Sequence, residues 1–421
     1  MRGAVESLLP TRLGSHFRWL VASTWTTNLG DGIAMAAAPL LVASLTDDAF
    51  LVSLAALLQW APPLLFGLYA GVLSDRLDRR RIVMAANAVR AVVLALLVVA
   101  IAVDEISVVT ALLALGLLAT AEVFADNTSA TLAPMLVHRD DLALANSRIQ
   151  AGFITLNQLA GPPIGAALFA AGMALPFAAE AVLVAAGIML VSRVVLPPHG
   201  RDRSGQASIR RDITEAFRFT VRHGAVRTLL LTILIFNVTF GAAWAVLVLY
   251  AQQRLSLGAV GFGLLTTVSA VGGLLGTGMY GWITARISLG TIMRIGLIIE
   301  TLTHLALALT TSAWVAVVIM FIFGAHAFIW GTTSITIRQR AVPTHLQGRV
   351  NSLNTICSFG GLVVGSAIGG LLASRFGVTA PFWFAFAGSA LFVVLLWRQL
   401  TLVAHADEQP QPASATAASG R

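Results

Sequence analysis

Long apolar runs are the feature that most constrains how this chain of 421 residues can fold. Residues 226–251 and 378–397 are two such runs, and a helix of about 20 residues crosses roughly 30 Å of hydrocarbon. Only 11% of the residues are charged, against about 25% in an average soluble domain. The sequence therefore predicts an all-α integral membrane protein.

The apolar runs predict twelve transmembrane helices joined by loops that are mostly short, so that neighbouring helices run antiparallel. The predicted spans are 17–45, 51–74, 82–103, 107–131, 148–172, 174–197, 226–252, 259–285, 291–311, 313–336, 349–374 and 378–400. A longer basic connection separates two halves of six spans each. The predicted organisation is an N-terminal bundle at 1–197, a linker at 198–225, a C-terminal bundle at 226–400 and a disordered tail at 401–421.

The linker and the arginines predict how the chain sits in the membrane. Ile209, Ile213, Phe217 and Val221 recur every fourth residue, which predicts an amphipathic helix on the membrane surface. All 27 basic residues are arginines, and 24 of them fall in cytoplasmic segments or at their edges if the N-terminus is cytoplasmic. We therefore expect both termini in the cytoplasm. We also expect the arginines to set the membrane topology rather than to bind nucleic acid.

The two halves resemble each other in sequence. Residues 71–82 and 281–292 both follow the second span of their half, 210 residues apart. Residues 161–165 and 365–369 read GPPIG and GSAIG in the fifth and eleventh spans. This duplication predicts two six-helix bundles related by a pseudo-two-fold axis, with a site between them that rocking opens to alternate sides.

The most specific motif is the segment 71–81, which reads GVLSDRLDRRR. It resembles the signature of the major facilitator superfamily, and its DRLDRRR form resembles the enterobactin-exporter-like and drug-efflux branch, although Asp78 stands where the superfamily has glycine. Residues 28–32, 38–40, 45–46, 134–137 and 339–343 are similar to the same branch. The resemblance implies a monomeric twelve-helix transporter of the bacterial inner membrane.

The charges of this motif predict a conformational latch. Asp75 lies at the C-terminal end of the second span, where the helix dipole disfavours a carboxylate, so it needs a donor. That donor is either Arg79 or a helix N-terminus in the other half, which the resemblance places in the eleventh span near Arg349. A simpler alternative is that the arginines only enforce topology. The predicted latch residues are Gly71, Asp75, Arg76, Arg79 and Asp126.

A second motif occupies the fifth span as Gly161-Pro162-Pro163-Ile164-Gly165. It resembles the Gly-Pro-x-x-Gly element of proton-antiporting exporters, but the upstream glycine spacing of that element is not reproduced. Proline removes a backbone hydrogen bond, and glycines four apart permit close helix contact. We expect Gly161, Pro162 and Gly165 to bend this helix.

Five acids lie within predicted spans, where a carboxylate at mid-bilayer costs about 2.5–3.5 kcal/mol. Asp31, in the middle of the first span, and Glu122, on the fourth, are the predicted proton sites, with a structural hydrogen bond as the alternative for Asp31. The resemblance implies that Asp126 forms a relay with Arg79. Glu300 and His304 lie four residues apart on the ninth span, and we expect a local pair, with proton transfer between them as the alternative. Glu180 and Arg90 are expected to snorkel or to pair structurally.

Aromatic and polar residues on the inner spans predict a cavity for an amphiphilic organic molecule. The predicted cavity residues are Asn28, Asn237, Trp244, His326 and Trp330. A cation would be drawn to Asp31 and Glu122, whereas an anion such as a catecholate would require them to be protonated. The family resemblance, rather than this chemistry, implies export, so we expect proton-coupled efflux of a drug or siderophore. Uptake by a symporter or facilitator and a non-transporting sensor or scaffold remain alternatives.

An enzyme is not expected. The sequence has no nucleotide-binding glycine loop and no HExxH motif, so neither a cofactor nor ATP hydrolysis by this chain is predicted. The single cysteine, Cys357, cannot form an intrachain disulfide, and no spacing typical of a metal site occurs. The expected partners are a small-molecule substrate, protons and the lipid bilayer.

Overall fold

The computed structural model describes residues 10–196, 209–343 and 346–400, and these contain helices and no strand. Residues 1–9, the start of the predicted linker up to residue 208, residues 344–345 and the predicted disordered tail at 401–421 lie outside the described residues.

The first four predicted spans appear as four helices whose ends lie within a few residues of the prediction. These are α1 (Ser15–Leu45), α2 (Ala49–Arg76), α3 (Arg79–Ala102) and α4 (Val108–Ala130). A short helical turn at Thr11–Leu13 precedes α1, and two more, Ala133–Leu136 and Arg139–Asp141, follow α4. The sixth span appears as α7 (Leu175–Val191).

The fifth predicted span is not one regular α-helix. Helix α5 (Leu142–Gly152) passes through a π-helical stretch, Phe153–Ala160, into α6 (Gly161–Ala171). The stretch ends where Pro162 and Pro163 open α6. Because prolines have no backbone N–H to donate, the regular α-helical hydrogen bonding breaks just before them.

The second half begins with the linker helix α8 (Ile209–Arg222), in which Phe217 and Val221 are exposed as an amphipathic surface helix requires. The helices that follow it are α9 (Gly224–Trp244), α10 (Leu247–Gln253), α11 (Ala259–Thr284), α12 (Leu289–Leu309), α13 (Ala313–Ala341), α14 (Gln347–Phe376) and α15 (Ala380–Leu396). Helices α9 and α10 share the predicted seventh span. Within the described residues, nine helical segments are long and apolar enough to cross a membrane, and α7 and α15 are shorter apolar helices.

Several helices begin at a side chain that caps them. Asp48 accepts from the Phe50 N–H at 2.8 Å, and Asp78 accepts from the Arg81 N–H at 3.1 Å. Ser288 caps α12 in the same way. These caps satisfy backbone donors that a helix leaves free at its start. Asp78, which departs from the superfamily signature, is therefore explained as the N-cap of α3.

The helices pack in two groups. In the N-terminal group α1 packs on α6 and α7, α3 packs on α4 and α7, and α2 packs on α4. In the C-terminal group α9 packs on α14 and α15, α11 on α13, and α12 on α13 and α15. The groups meet where α2 packs on α14 and α6 on α11.

The two ends of this bundle differ. At the end that carries the loops 46–48 and 377–379, here called the closed face, the backbone of Gly370 on α14 lies directly against Ser53 and Phe50 of α2. The other end carries the 71–81 motif and is here called the motif face. There the positions of Gly71 on α2 and Gly348 on α14 have open space to 4 Å. The groups are therefore in direct contact at the closed face, and the two glycines at the motif face make no comparable contact.

Candidate functional site

A cavity of about 620 Å³ lies between the two groups, and both groups line it. Four carboxylates, one imidazole and several amides and hydroxyls share its wall with a larger number of aromatic and aliphatic side chains. The acids in the wall are Asp31, Glu122, Glu180 and Glu300. No arginine belongs to the wall as formed by the described residues, so its fixed charge is negative.

Arg90, in the middle of α3, lies behind two of these acids. Its Nη2 donates to Asp31 Oδ1 on α1 and, at 3.1 Å, to Glu180 Oε1 on α7, while its Nη1 donates to Asn87 Oδ1 at 3.4 Å. The arginine side chain is 2% exposed. One buried cation thus ties three helices together while two carboxylates compete for it.

Glu122 lies in this electrostatic environment without an arginine of its own. It lines the cavity, and among the described residues it makes no ion pair or side-chain hydrogen bond that would neutralise it. Asp31, Asp126 and Glu180 are near enough to repel it, and Arg90 is near enough to attract it. Asp126 lies one helical turn further towards the motif face and is exposed. The N-terminal group therefore places more carboxylates than cations around the cavity.

A second charged group lies across the cavity. Glu300 Oε2 on α12 is 3.6 Å from His326 Nε2 on α13, and both residues line the cavity. His304, one turn after Glu300, is buried, and neither of its ring nitrogens has a hydrogen-bond partner among the described residues. The structure thus brings Glu300 next to His326 on a neighbouring helix, rather than leaving it with His304 alone.

Aromatic side chains of α9 and α13 form the apolar wall next to this pair. The ring centroids of Phe240 and Trp244 are 4.4 Å apart, and that of Phe323 is 5.0 Å from Trp244 and 5.7 Å from Phe240. Trp60 of α2 meets Phe359 of α14 with centroids 6.0 Å apart. A cavity with aromatic faces and a few carboxylates suits an amphiphilic organic molecule.

Four of the five predicted cavity residues line this cavity, namely Asn237, Trp244, His326 and Trp330. Asn28 does not, because its Nδ2 donates to the Thr24 carbonyl one turn earlier at 2.8 Å. Several polar atoms of the wall, among them Glu180 Oε2, Trp330 Nε1 and Ser366 Oγ, have no hydrogen-bond partner among the described residues. These atoms can bond to polar groups of a molecule in the cavity.

The motif loop is held by its own half. Asp75 is 73% exposed and accepts from Arg79 Nη2 at 3.3 Å, while Arg79 Nε donates to the Ser74 carbonyl at 3.0 Å. Arg79 Nη1 also reaches Met135 Sδ at 3.1 Å, and Arg76 is exposed. Of the two donors predicted for Asp75, the one that it has here is therefore Arg79, from the same loop.

The predicted latch between the halves is not engaged in this conformation. A Cβ atom added at Gly71 would meet nothing within 4 Å, so α14 does not lie against this position. Arg349, at the start of α14, instead donates to Glu215 Oε2 of the linker helix α8 at 2.6 Å. Both side chains of this pair are partly exposed.

The glycines of the second motif allow α6 to lie against α1. A side chain at Gly161 would overlap the backbone of Gly32, and one at Gly165 would overlap the backbone of Ile33. Gly32 is the neighbour of Asp31, so this contact holds the acid-bearing turn of α1 in place. Pro162 lies at the start of α6 and lines the cavity.

Sequence reasoning missed two features of the site. It allowed for structural pairing by Arg90 and Glu180, but it did not predict that Arg90 binds Asp31 or that Glu180 lines the cavity. It also overlooked the amides Gln59, Asn157 and Gln158. The available signal was the depth of Arg90, because an arginine at mid-membrane needs a carboxylate partner.

A multi-pass helical bundle with a charged cavity between two groups of helices is typical of a membrane transporter of small molecules. The chain belongs to the transmembrane secretion effector family of the major facilitator superfamily, whose family model matches residues 6–418.

Two relatives of known function are similar over most of their length. The enterobactin exporter EntS of Salmonella typhimurium is 26% identical over 385 residues, which are 87% of each chain. The multidrug efflux pump Tap of Mycolicibacterium fortuitum is 28% identical over 377 residues, which are 85% of this chain and 89% of Tap. Both relatives are efflux transporters, not enzymes.

Solved structures share the fold at lower identity. A bacterial homologue of the iron transporter ferroportin in an inward-facing state has a TM-score of 0.75 and 16% identity, covering 92% of this chain and 98% of that one. A bacterial homologue of the human lysosomal transporter Spinster, also inward-facing, has a TM-score of 0.71 and 16% identity, covering 95% of this chain and 100% of that one.

Proposed function

We propose that this protein exports a small organic cation in exchange for protons by alternating access. The observation that carries the proposal is the cavity between the two groups of helices, where carboxylates from both groups lie among aromatic side chains. The named activities of the two efflux relatives support export over uptake.

The proposed membrane arrangement has twelve spans in two six-helix halves, with the motif face and both termini in the cytoplasm. In this arrangement the arginines concentrate on the cytoplasmic side, as the positive-inside rule requires. The open motif face then makes this conformation inward-facing. We assign the protein to the bacterial inner membrane, where it would work as a monomer.

Proton binding at Asp31 and Glu122 would couple the exchange. Arg90 is shared between Asp31 and Glu180, and Glu122 lacks a cationic partner among the described residues. An ionised carboxylate in a medium of low polarity is unfavourable unless a positive charge neutralises it. Either a proton or a substrate cation can supply that charge, so binding one favours release of the other.

The cavity wall supports a cationic rather than an anionic substrate. A flat aromatic cation would stack on Phe240 or Trp244 while its charge approached Glu122 or Glu300. A catecholate would meet unpaired carboxylates and would bind only after they had taken up protons.

Access to the cavity would alternate by rocking of the two groups. Closing the motif face would bring Asp75 of α2 towards the start of α14, and the closed face would open as Gly370 moves away from Ser53. Arg349 would then be available to Asp75 instead of Glu215. This exchange of partners is the proposed form of the latch.

Everted membrane vesicles test the proposed exchange. Their interior is acidified by respiration, and ethidium is added outside, at the cytoplasmic face of the protein. An exporter that exchanges protons for cations should release protons from the interior and accumulate ethidium, both dependent on the expressed protein.

The outcome separates the alternatives. Efflux of protons with ethidium accumulation supports antiport. Protein-dependent equilibration of ethidium that is unaffected by collapse of the proton gradient would instead indicate a facilitator. The absence of any protein-dependent flux across a panel of cationic drugs and siderophores would favour a sensor or scaffold.

A further inference from the structure

We infer that Glu300 and His326 form a second proton-binding site, located in the C-terminal group and separate from Asp31 and Glu122. This inference rests on the proposed exchange of protons for an organic cation. It extends that exchange to the C-terminal half, where the sequence favoured a local pair of Glu300 with His304 rather than with His326.

Glu300 is isolated among the acids of the chain. No other aspartate or glutamate occurs between Glu215 and Asp407. Glu300 lies in the middle of α12, lines the cavity and has a side chain that is 14% exposed. A single carboxylate at this depth costs about 2.5–3.5 kcal/mol, which points to a functional role.

The hydrogen bonding of His326 defines what it presents to Glu300. His326 Nδ1 is 3.0 Å from the carbonyl oxygen of Phe323, and a carbonyl oxygen can only accept. Nδ1 therefore carries the proton in the neutral ring, and Nε2 has a lone pair. That lone pair faces Glu300 Oε2 at 3.6 Å.

This arrangement favours the binding of one proton by the pair. Without a bound proton, a carboxylate oxygen and an imidazole lone pair face each other in a poorly hydrated site, and this contact is repulsive. With it, the pair is either a carboxylate next to an imidazolium or a carboxyl group that donates to Nε2. Both forms have no net charge, so the proton belongs to the pair rather than to one residue.

The neighbouring helices offer no cation that would replace this proton. Helix α12 packs on α13 and α15, and α13 also packs on α9 and α11. His304 is the nearest titratable neighbour, and its ring nitrogens make no hydrogen bond within the described residues. The other titratable or charged side chains on these helices lie nearer their ends, and they are Arg227, Tyr280, Arg294, Arg338 and Arg340.

The charge balance of the exchange follows from these states. Release of the proton into the cavity changes the pair from neutral to a net charge of −1. A bound organic cation restores neutrality, and the aromatic side chain of Phe323, whose ring centroid is 5.5 Å from that of His326, offers it a face. At this site one proton therefore leaves for each cation that binds.

Counting protons tests the inference on the full-length protein purified in detergent. Ethidium is added in weakly buffered solution, and the protons released per ethidium bound are measured with a pH indicator. We expect Glu300→Gln and His326→Gln each to release about one proton fewer than the unaltered protein. The matched controls Glu105→Gln and His138→Gln alter exposed side chains and should release as many as the unaltered protein.

A second measurement needs no ligand. Fewer protons should be taken up on acidification by Glu300→Gln and by His326→Gln than by the unaltered protein, and combining the two changes should add little because the proton is shared. Equal proton counts in the unaltered protein and in both variants, by both methods, would overturn the inference. If the unaltered protein binds ethidium without releasing any proton, the proposed function itself fails.

Discussion

Arg90 and Glu300 occupy the same position in their respective helices. Arg90 follows the N-cap of α3 at Asp78 by twelve residues, and Glu300 follows the N-cap of α12 at Ser288 by twelve. Their separation of 210 residues is the one that relates the motif at 71–82 to its counterpart at 281–292. Equivalent positions of the predicted sequence repeat therefore carry a cation in one half and an anion in the other.

Removal of Arg90 should strongly destabilise the protein. Arg90→Met leaves Asp31 and Glu180 buried without their cation, and breaking a buried ion pair in this way costs about 3–5 kcal/mol. We expect a lower thermal unfolding temperature for the purified protein in detergent, measured by intrinsic fluorescence.

Two further variants test the reason for this loss. Combining Arg90→Met with Asp31→Asn and Glu180→Gln removes the unpaired charges and should recover part of the stability. Arg375→Met changes an exposed arginine near the closed face and should melt as the unaltered protein does. An Arg90→Met protein with unchanged unfolding temperature would contradict the ion-pair argument.

Neutralising the predicted proton sites should uncouple transport. An amide cannot take up a proton, so Asp31→Asn and Glu122→Gln, made singly, should abolish ethidium accumulation driven by a pH gradient in everted vesicles. Asp104→Asn is a matched control, because Asp104 lies in a loop with φ of 59°, a conformation that asparagine tolerates. Unchanged pH dependence of transport in both Asp31→Asn and Glu122→Gln would show that neither residue carries the proton.

Filling the contact at Gly370 should open the closed face. A leucine there would overlap Ser53, so α2 and α14 would have to separate. In a Cys357→Ser background, spin labels at Asp47→Cys and Phe376→Cys should report longer distances in Gly370→Leu, and ethidium transport should fall at least tenfold.

Gly258→Ala provides the comparison, since that position has open space and a φ of −76°. It should leave both the label distances and transport unchanged. Unchanged distances in Gly370→Leu as well would mean that the contact does not keep this face shut.

The pair between Glu215 and Arg349 should bias the protein towards the conformation that is open at the motif face. In Glu215→Gln, Arg349 loses its carboxylate partner on α8. Arg349 is then more favourably placed to bind Asp75 when α2 and α14 approach each other. Because the pair is partly exposed, its contribution is about 0.2–1 kcal/mol, so the population shift should not exceed roughly fivefold.

Spin labels at Leu77→Cys and Ala285→Cys, again with Cys357→Ser, should show more of the shorter distance in Glu215→Gln. Adding Asp75→Asn should cancel this gain. A gain that persists in the double variant would exclude Asp75 as the alternative partner of Arg349.

The helical layout was predictable because it depends on local properties of the chain. An apolar run of sufficient length must satisfy its own backbone in the membrane, which a helix does. The predicted ends of α1 to α4 and of α11 to α14 accordingly lie within a few residues of the observed ends. The fifth span departs from the prediction because the prolines of α6 and the π-helical stretch before them interrupt an otherwise apolar segment.

The depth of Asp31 and the cavity positions of Asn237 and Trp244 could be inferred from the residue types and their places in the spans. The position of Asn28 could not, because its side chain bonds to its own helix instead of facing the cavity. Hydrogen bonding of this kind depends on rotamer choice, which one sequence does not specify.

By itself, the sequence determined that this chain crosses a membrane repeatedly and that a few charges must be buried with it. Only the tertiary structure decided which charges meet, because Asp31, Arg90 and Glu180 come together from α1, α3 and α7, and Glu300 reaches His326 from another helix. Helical periodicity states which face of a helix a residue occupies. Which neighbour that face contacts depends on how all the helices pack at once.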